Sequence, residues 1–235
     1  MFDVKRHPLN YYENDVLAYE QEPIEEGKII FYGSSGFTRW KAKWGNTPLE
    51  EAIPGKNGEK MCINHALGGS TTEELLYYYP RLVRAWKPKA LVLTAYANDW
   101  GFGYNVPEMM MLVSRILEYA RTDMPGIKLF ITDRRPNAKN VNTQDHVAHE
   151  DRAWDRGAWL NTWNEMNDAL RAYCAVHPDT TLIEYHKFDW MFEEGCTGDL
   201  TRVRPELFVE DKVHFTKEAY AMLAEEYKKI LADLL

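Results

Sequence analysis

Cysteine is scarce. Three residues, Cys62, Cys174 and Cys196, are odd in number and far apart, which excludes a full disulfide framework and a CxxC metal site. This usage suits a reducing compartment, and a cytoplasmic protein is the expectation. Long apolar runs are absent too. None approaches the about 20 residues that a membrane-spanning helix needs, so no membrane partner is expected. The opening stretch MFDVKRHPLNYYENDVLAYEQ carries acidic residues and no apolar segment, so it does not read as a signal peptide. Positive charge is in deficit: 28 Lys and Arg against 36 Asp and Glu give a net charge of −8 with His neutral. A nucleic-acid backbone needs a basic face, so no nucleic-acid partner is expected. The chain also lacks repeats and low-complexity segments.

What is there is ordinary globular composition, 45 % apolar and 27 % charged over 235 residues. That is enough chain for one domain with a full core. Residues 1–27 are polar and aromatic and precede the first clear strand. They read as an arm packed on the body through Tyr11, Tyr12 and Tyr19, with residues 28–235 forming a single domain. Short apolar runs predict strands at Lys28–Tyr32, Lys60–Asn64, Ala90–Ala95, Ile127–Ile131 and Thr181–Glu184. Helical spacing between and after them predicts helices at Thr72–Trp86, Pro107–Ala120, Asp151–Ala175 and Thr216–Leu235. Thr72–Trp86 has Glu73 and Glu74 in its first turn, and Pro107 opens the next helix, both favourable at a helix start. Strands apolar on both faces and alternating with helices indicate an α/β fold. It is a three-layer α/β/α sandwich around a doubly wound, five-stranded, mostly parallel sheet.

In such a sheet the reactive groups gather at the C-terminal strand ends. The first strand runs into Gly33-Ser34-Ser35-Gly36, where a serine on a strand-to-helix turn can project its hydroxyl from the sheet edge. A serine there also serves commonly as a helix N-cap. The second strand runs into His65-Ala66-Leu67-Gly68-Gly69, whose glycines can expose backbone N–H groups before a helix. The third runs into Tyr96-Ala97-Asn98-Asp99, where the Asn amide can donate to an oxyanion or simply close an Asx-turn. Before the last helix, Asp211-Lys212-Val213-His214 can place a carboxylate on one imidazole nitrogen and leave the other as a base. Each signal alone has an ordinary structural explanation. Together, in this order and at converging strand ends, they make a nucleophile, two kinds of donor and a base.

On these residues the chain resembles the SGNH hydrolases, also called the GDSL esterase/lipase family. Gly33-Ser34-Ser35 is similar to the family's Gly-Asp-Ser, Gly69 to its second-block glycine, Ala97-Asn98-Asp99 to the end of its Gly-x-Asn-Asp, and Asp211 to His214 to its Asp-x-x-His. The resemblance runs from about Lys28 to the C-terminus. It implies the flavodoxin-like SGNH fold and hydrolysis of an ester through an acyl-enzyme. Ser35 would be the nucleophile, His214 the base and Asp211 its orienting carboxylate. The Ser35 and Gly69 N–H groups and the Asn98 amide would form the oxyanion hole. No metal and no organic cofactor is implied, and the partner is a small-molecule ester, short-chain acyl esters and carbohydrate O-acetyl groups among them. An acyltransferase would use the same residues, and a catalytically silent ligand-binding domain would have no need of a base beside a nucleophile. A homo-oligomer is compatible with the sequence. Two positions depart from the pattern: Ser34 replaces the family Asp, and Tyr96 stands where a glycine usually opens the third block. Relatives with Gly-Ser-Ser carry an Arg-x-Trp-like stretch next, to which Arg39-Trp40 is similar. The other Ser, Asp, His fold, the α/β-hydrolase, is excluded because Phe37 occupies the last glycine of its Gly-x-Ser-x-Gly elbow.

Tyr96, Trp100, Phe102 and Tyr104 are the expected lining of a substrate pocket. His146 and His149 could ligate a metal, but a solvated polar loop accounts for them better. Trp154 and Trp159 could form a lid over the pocket or pack a helix, and Trp163 is read as core. In Asp133-Arg134-Arg135-Pro136, after the fourth strand, one arginine could hold a substrate carboxylate or phosphate, although a salt bridge is the ordinary use.

Overall fold

No residue of β1 (Ile29–Gly33) is exposed, as expected for a strand covered on both faces. The structure, a computed structural model, describes residues 7, 8, 10–140 and 156–235, without the side chains of 140 and 156–160. β2 (Cys62–Asn64) lies on one side of β1 and β3 (Ala90–Thr94) on the other, followed by β4 (Lys128–Thr132) and β5 (Thr180–Ile183). All four pairings are parallel, giving the strand order β2-β1-β3-β4-β5. The strand ends are in step, with Gly33 opposite Thr94 and Thr132 opposite Ile183. The order reverses between β1 and β3, which opens a crevice at that edge of the sheet.

Alternation along each strand divides the core in two. Ile29, Phe31, Ala90, Val92 and Phe130 face one side, with Phe37, Trp40, Tyr220 and Tyr227 packed on them. Ile30, Tyr32, Leu91, Leu93, Leu129 and Ile131 face the other, under Leu75, Tyr79, Val113, Ile116 and Met166. The first layer comes from α2 (Ser35–Thr38), α3 (Leu49–Ala52) and α7 (Lys217–Ile230). The second comes from α4 (Thr72–Leu82), α5 (Val106–Asp123) and α6 (Arg156–Val176). α4 and α5 each start with a capping box, Thr71 with Glu74 and Asn105 with Glu108, and Thr216 caps α7.

The arm contains a helix that hydropathy did not reveal, α1 (Glu13–Glu20), packed on α4. Tyr12 and Tyr19 are buried and their hydroxyls donate to the Gly68 and Ala66 carbonyls at 3.1 and 2.8 Å. Tyr11, against expectation, is 57 % exposed, its ring stacked 4.0 Å from that of His7. The helix expected at Thr72–Trp86 ends at Leu82, where Val83 leaves helical geometry, and a separate 3₁₀ turn covers Arg84–Trp86. α7 stops at Ile230, short of the expected end. His146, His149 and Trp154 lie outside the described residues, as does the start expected for α6; Trp163 is core, as expected.

Candidate active site

The Ser35 turn depends on a glycine. A Cβ at Gly33 would sit 2.5 Å from the Thr94 carbonyl oxygen, so only glycine lets β1 end this close to β3. Ser34 then takes the N-cap position of α2 without a side-chain cap bond, and Ser35 is the first helical residue, partly exposed. It is therefore not the cap, and its N–H belongs to the first turn, where amides lack helical acceptors. The loop after β2 is tied to this turn. Leu67 N–H donates to the Gly33 carbonyl at 2.8 Å, and the buried Asn64 amide donates to the Phe37 carbonyl at 2.8 Å. Gly69 has φ +84°, a conformation that a side chain would strain.

The turn after β3 closes on the same loop. The Asn98 amide donates to the Ser70 carbonyl at 2.8 Å, which leaves its second hydrogen for another acceptor. Asp99, fully buried, accepts the Thr72 N–H on both oxygens, at 3.0 and 3.1 Å, at the start of α4. Burial pushes its carboxyl up to about 6, against the pull of those Thr72 bonds. Tyr96 has φ +52°, which explains why a glycine is usual at this position. Its side chain is buried, with the hydroxyl donating to the Thr132 carbonyl at 2.9 Å and the N–H to Thr72 Oγ1 at 2.8 Å. It therefore packs in the core rather than lining a pocket.

The Asp-His turn precedes α7. Asp211 Oδ1 accepts the Val213 and His214 N–H groups, each at 2.9 Å, and Oδ2 holds His214 Nδ1 at 2.6 Å. Partial burial opposes the Asp211 charge, but these bonds outweigh it and hold the carboxyl down at about 2. His214 Nε2 is buried and has no hydrogen-bond partner, so the Ser35 hydroxyl is not bonded to it in this conformation. Burial holds the imidazole below its ordinary value; the Asp211 bond opposes this, and the charges of Arg135 and Arg39 add to it.

Two side chains join the histidine turn to the serine turn. Arg135 Nη2 donates to the Val213 carbonyl at 2.7 Å, while Nη1 lies 3.7 Å from where a Cβ on Gly36 would stand. Tyr220, on α7, donates its hydroxyl to the Gly36 carbonyl at 2.9 Å. Sequence reasoning did not assign this bridging role to Arg135, because its partner Val213 is 78 residues away.

Of the expected pocket residues, Phe102 and Tyr104 line a cavity of about 460 Å³ together with His7, Thr71, Glu73 and Tyr77. Neither Ser35 nor His214 lines it. Trp100 is partly buried against the core on the α7 side. A second Asp-His pair stands at the ends of β4 and β5. Buried Asp133 accepts from Tyr185 N–H at 2.7 Å and pairs with His186 Nδ1. The far nitrogen of His186 faces Arg171 at 3.2 Å, so this pair fastens two strands and offers no free base. Among the described residues no group of three or more His, Cys, Asp or Glu side chains could hold a metal, and no helix is long and apolar enough to cross a membrane.

No family model matches the sequence, and no curated protein matches it. Solved structures do match the fold. A GDSL-like lipase from Bacteroides thetaiotaomicron superposes with a TM-score of 0.69 at 19 % identity, over 97 % of this chain and 98 % of that one. The lipase/acylhydrolase from Enterococcus faecalis gives 0.63 at 16 %, over 87 % and 95 %. The psychrotrophic esterase EstA from Pseudoalteromonas sp. gives 0.61 at 12 %, over 88 % and 97 %. The chain thus has the fold of the GDSL hydrolases, a three-layer α/β/α sandwich. The residues that resemble that family's motifs stand at the C-terminal ends of its strands and in the turn before α7.

Proposed function

We propose that the protein is a serine esterase that hydrolyses short-chain acyl esters through an acyl-enzyme, carbohydrate O-acetyl groups being one class within reach. The observation that carries this reading is the His214 imidazole. Asp211 occupies Nδ1, and Nε2 is buried, unpartnered and joined through Arg135 to the Ser35 turn. The reading requires the Ser35 hydroxyl to meet Nε2 during the reaction; such bonds are often formed only with substrate in place. His214 would take the Ser35 proton on attack and return it to the leaving alcohol. Asp211, ionised at every pH of interest, would hold the tautomer and stabilise the imidazolium. The oxyanion would be met by the Ser35 and Gly69 N–H groups and the second Asn98 hydrogen.

The test is turnover of p-nitrophenyl acetate, butyrate and octanoate by wild type, Ser35→Ala and Asn98→Ala. Ser35→Ala is expected to abolish activity with the fold intact, and retention of a few per cent or more would remove Ser35 as nucleophile. Asn98→Ala is expected to lower kcat by about 10²–10³ with little change in KM. An effect on KM alone would make Asn98 a binding residue.

A further inference from the structure

Among the described residues, six arginines pair with carboxylates: Arg81 with Glu13 and Glu20, Arg84 with Asp123, Arg121 with Asp179, Arg171 with Glu184, Arg202 with Glu193 and Arg204 with Glu206. Arg39 and Arg135 form no ion pair among the described residues, although acids outnumber bases 36 to 28. Arg115 also has no ion pair among the described residues, but it is exposed on α5. Arg39 and Arg135 are only partly exposed, and both act electrostatically on His214.

Each is braced from behind. The Arg39 guanidinium lies 3.7 Å over the Trp44 ring, and that of Arg135 lies 4.2 Å over Phe215. Arg135 commits one donor to the Val213 carbonyl and touches the Tyr220 hydroxyl. A guanidinium has five donors in a planar fork, so each retains N–H groups for an incoming oxyanion. Arg39 follows Ser35 by one helical turn, its N–H bonded to the Ser35 carbonyl at 2.9 Å, so the two side chains leave the same face of α2. Arg135 lies between Gly36, next to Ser35, and Val213, next to His214. Both cations are therefore anchored beside the Ser35 turn and act on the His214 ring.

The base fixes which half of a substrate they meet. His214 Nε2 must hand its proton to the leaving oxygen, so groups around the imidazole adjoin the alcohol half of an ester. The Gly69 and Asn98 donors adjoin the carbonyl oxygen instead. We propose that the alcohol half of the substrate carries an oxyanion group, a carboxylate, phosphate or sulfate, bound by Arg39 and Arg135. This rests on the esterase reading for the identity of the reaction, but the anion site can be read without it. A bound anion also offsets two charges that oppose protonation of His214, so it favours the imidazolium formed in the transition state; Asp211 is the third charged group that faces the ring.

The experiment compares 4-acetoxybenzoate with its neutral isostere 4-acetoxybenzamide as substrates of wild type, Arg39→Gln and Arg135→Gln. In parallel, calorimetry measures binding of the products 4-hydroxybenzoate and 4-hydroxybenzamide to Ser35→Ala and to Ser35→Ala with Arg39→Gln. We expect kcat/KM to favour the carboxylate by about tenfold or more in wild type, and each arginine variant to lower that ratio by a similar factor. The carboxylate product is expected to bind about tenfold tighter than the amide, with the difference lost in the double variant. Equal affinity for acid and amide overturns the anion site, whether or not esters are hydrolysed. Preferential carboxylate binding without any Ser35-dependent turnover keeps the anion site and overturns the esterase. An arginine variant that lowers both esters equally shows a structural role and also overturns the proposal.

Discussion

His214 carries opposing pressures that can be read in a rate profile. Burial and the charges of Arg135 and Arg39 hold it below the ordinary imidazole value of 6.5, and Asp211 pulls it back up. On the proposed mechanism His214 must be neutral to take the Ser35 proton, so kcat/KM is expected to fall on the acid side only below pH 6.5. Arg135→Gln removes one of the opposing charges and is expected to move that limb upward; a limb that stays in place would mean that the charge is not felt at the ring. Asp99 makes the opposite kind of statement, about stability. Its folded value, about 6, lies above the ordinary 3.8, so the folded state favours the protonated form. The stabilisation is complete below pH 3.8 and is lost as pH rises through about 6. Wild type should therefore gain thermal stability relative to Asp99→Asn between pH 7 and pH 5; parallel melting curves across that window would refute the shift. At this scale the sequence was legible where a residue's role follows from its motif: Asp211 and His214 are paired as their spacing suggested. Tyr96 was not legible, because a positive φ is invisible in a side chain's identity and its ring turns inward to Thr132.

The elements divide by length. All five strands lie within a residue or two of where their apolar runs placed them, because buried parallel strands consist of little else. α2 and α3, four residues each, are shorter than one amphipathic repeat, so no periodicity could mark them. α1 buries only Val16 and Tyr19, too few for a stripe. Yet α1 supports the site, since Tyr19 and Tyr12 donate to Ala66 and Gly68, the carbonyls just before Gly69. Tyr19→Phe leaves a buried carbonyl unsatisfied and is expected to cost about 1–3 kcal/mol in urea unfolding. Arg81→Ala breaks a more visible clamp, to Glu13 and Glu20, but these pairs are about one third exposed and are worth no more than about 1 kcal/mol. If Arg81→Ala proved the more costly, the arm would be held by charge and not by its tyrosines.

For the whole molecule, the strand order explains how the turns that carry Ser35 and His214, distant in sequence, come to be tied together. The reversal between β1 and β3 puts the serine turn, the Gly69 loop and the Asn98 turn around one crevice, and α7 brings the Asp-His turn to it. This convergence was legible because alternating strands and helices have few ways to wind. The proposed anion-binding role was legible only in part. The run Arg134-Arg135 after β4 marked a candidate. Arg39 did not stand out, because whether a charge is paired is a property of the folded state: Arg39 and Arg171 look alike in sequence. Nor was the Asp133–His186 pair legible, since 53 residues separate its halves.

Gly33 has one more consequence, for anyone who sets out to stabilise this protein. Replacing glycine by alanine is a standard gain, because it stiffens the unfolded chain by about 0.4–1 kcal/mol. At position 33 the added methyl would meet the Thr94 carbonyl at 2.5 Å and wedge apart β1 and β3, the strands that run into the Ser35 and Asn98 turns. Gly33→Ala is therefore expected to lose far more activity than stability, read as kcat against the urea midpoint. An alanine there that left kcat intact would show that the seam can open without disturbing the chemistry. Otherwise the width of this crevice is set by an atom that is missing, and no thermostable variant can supply it.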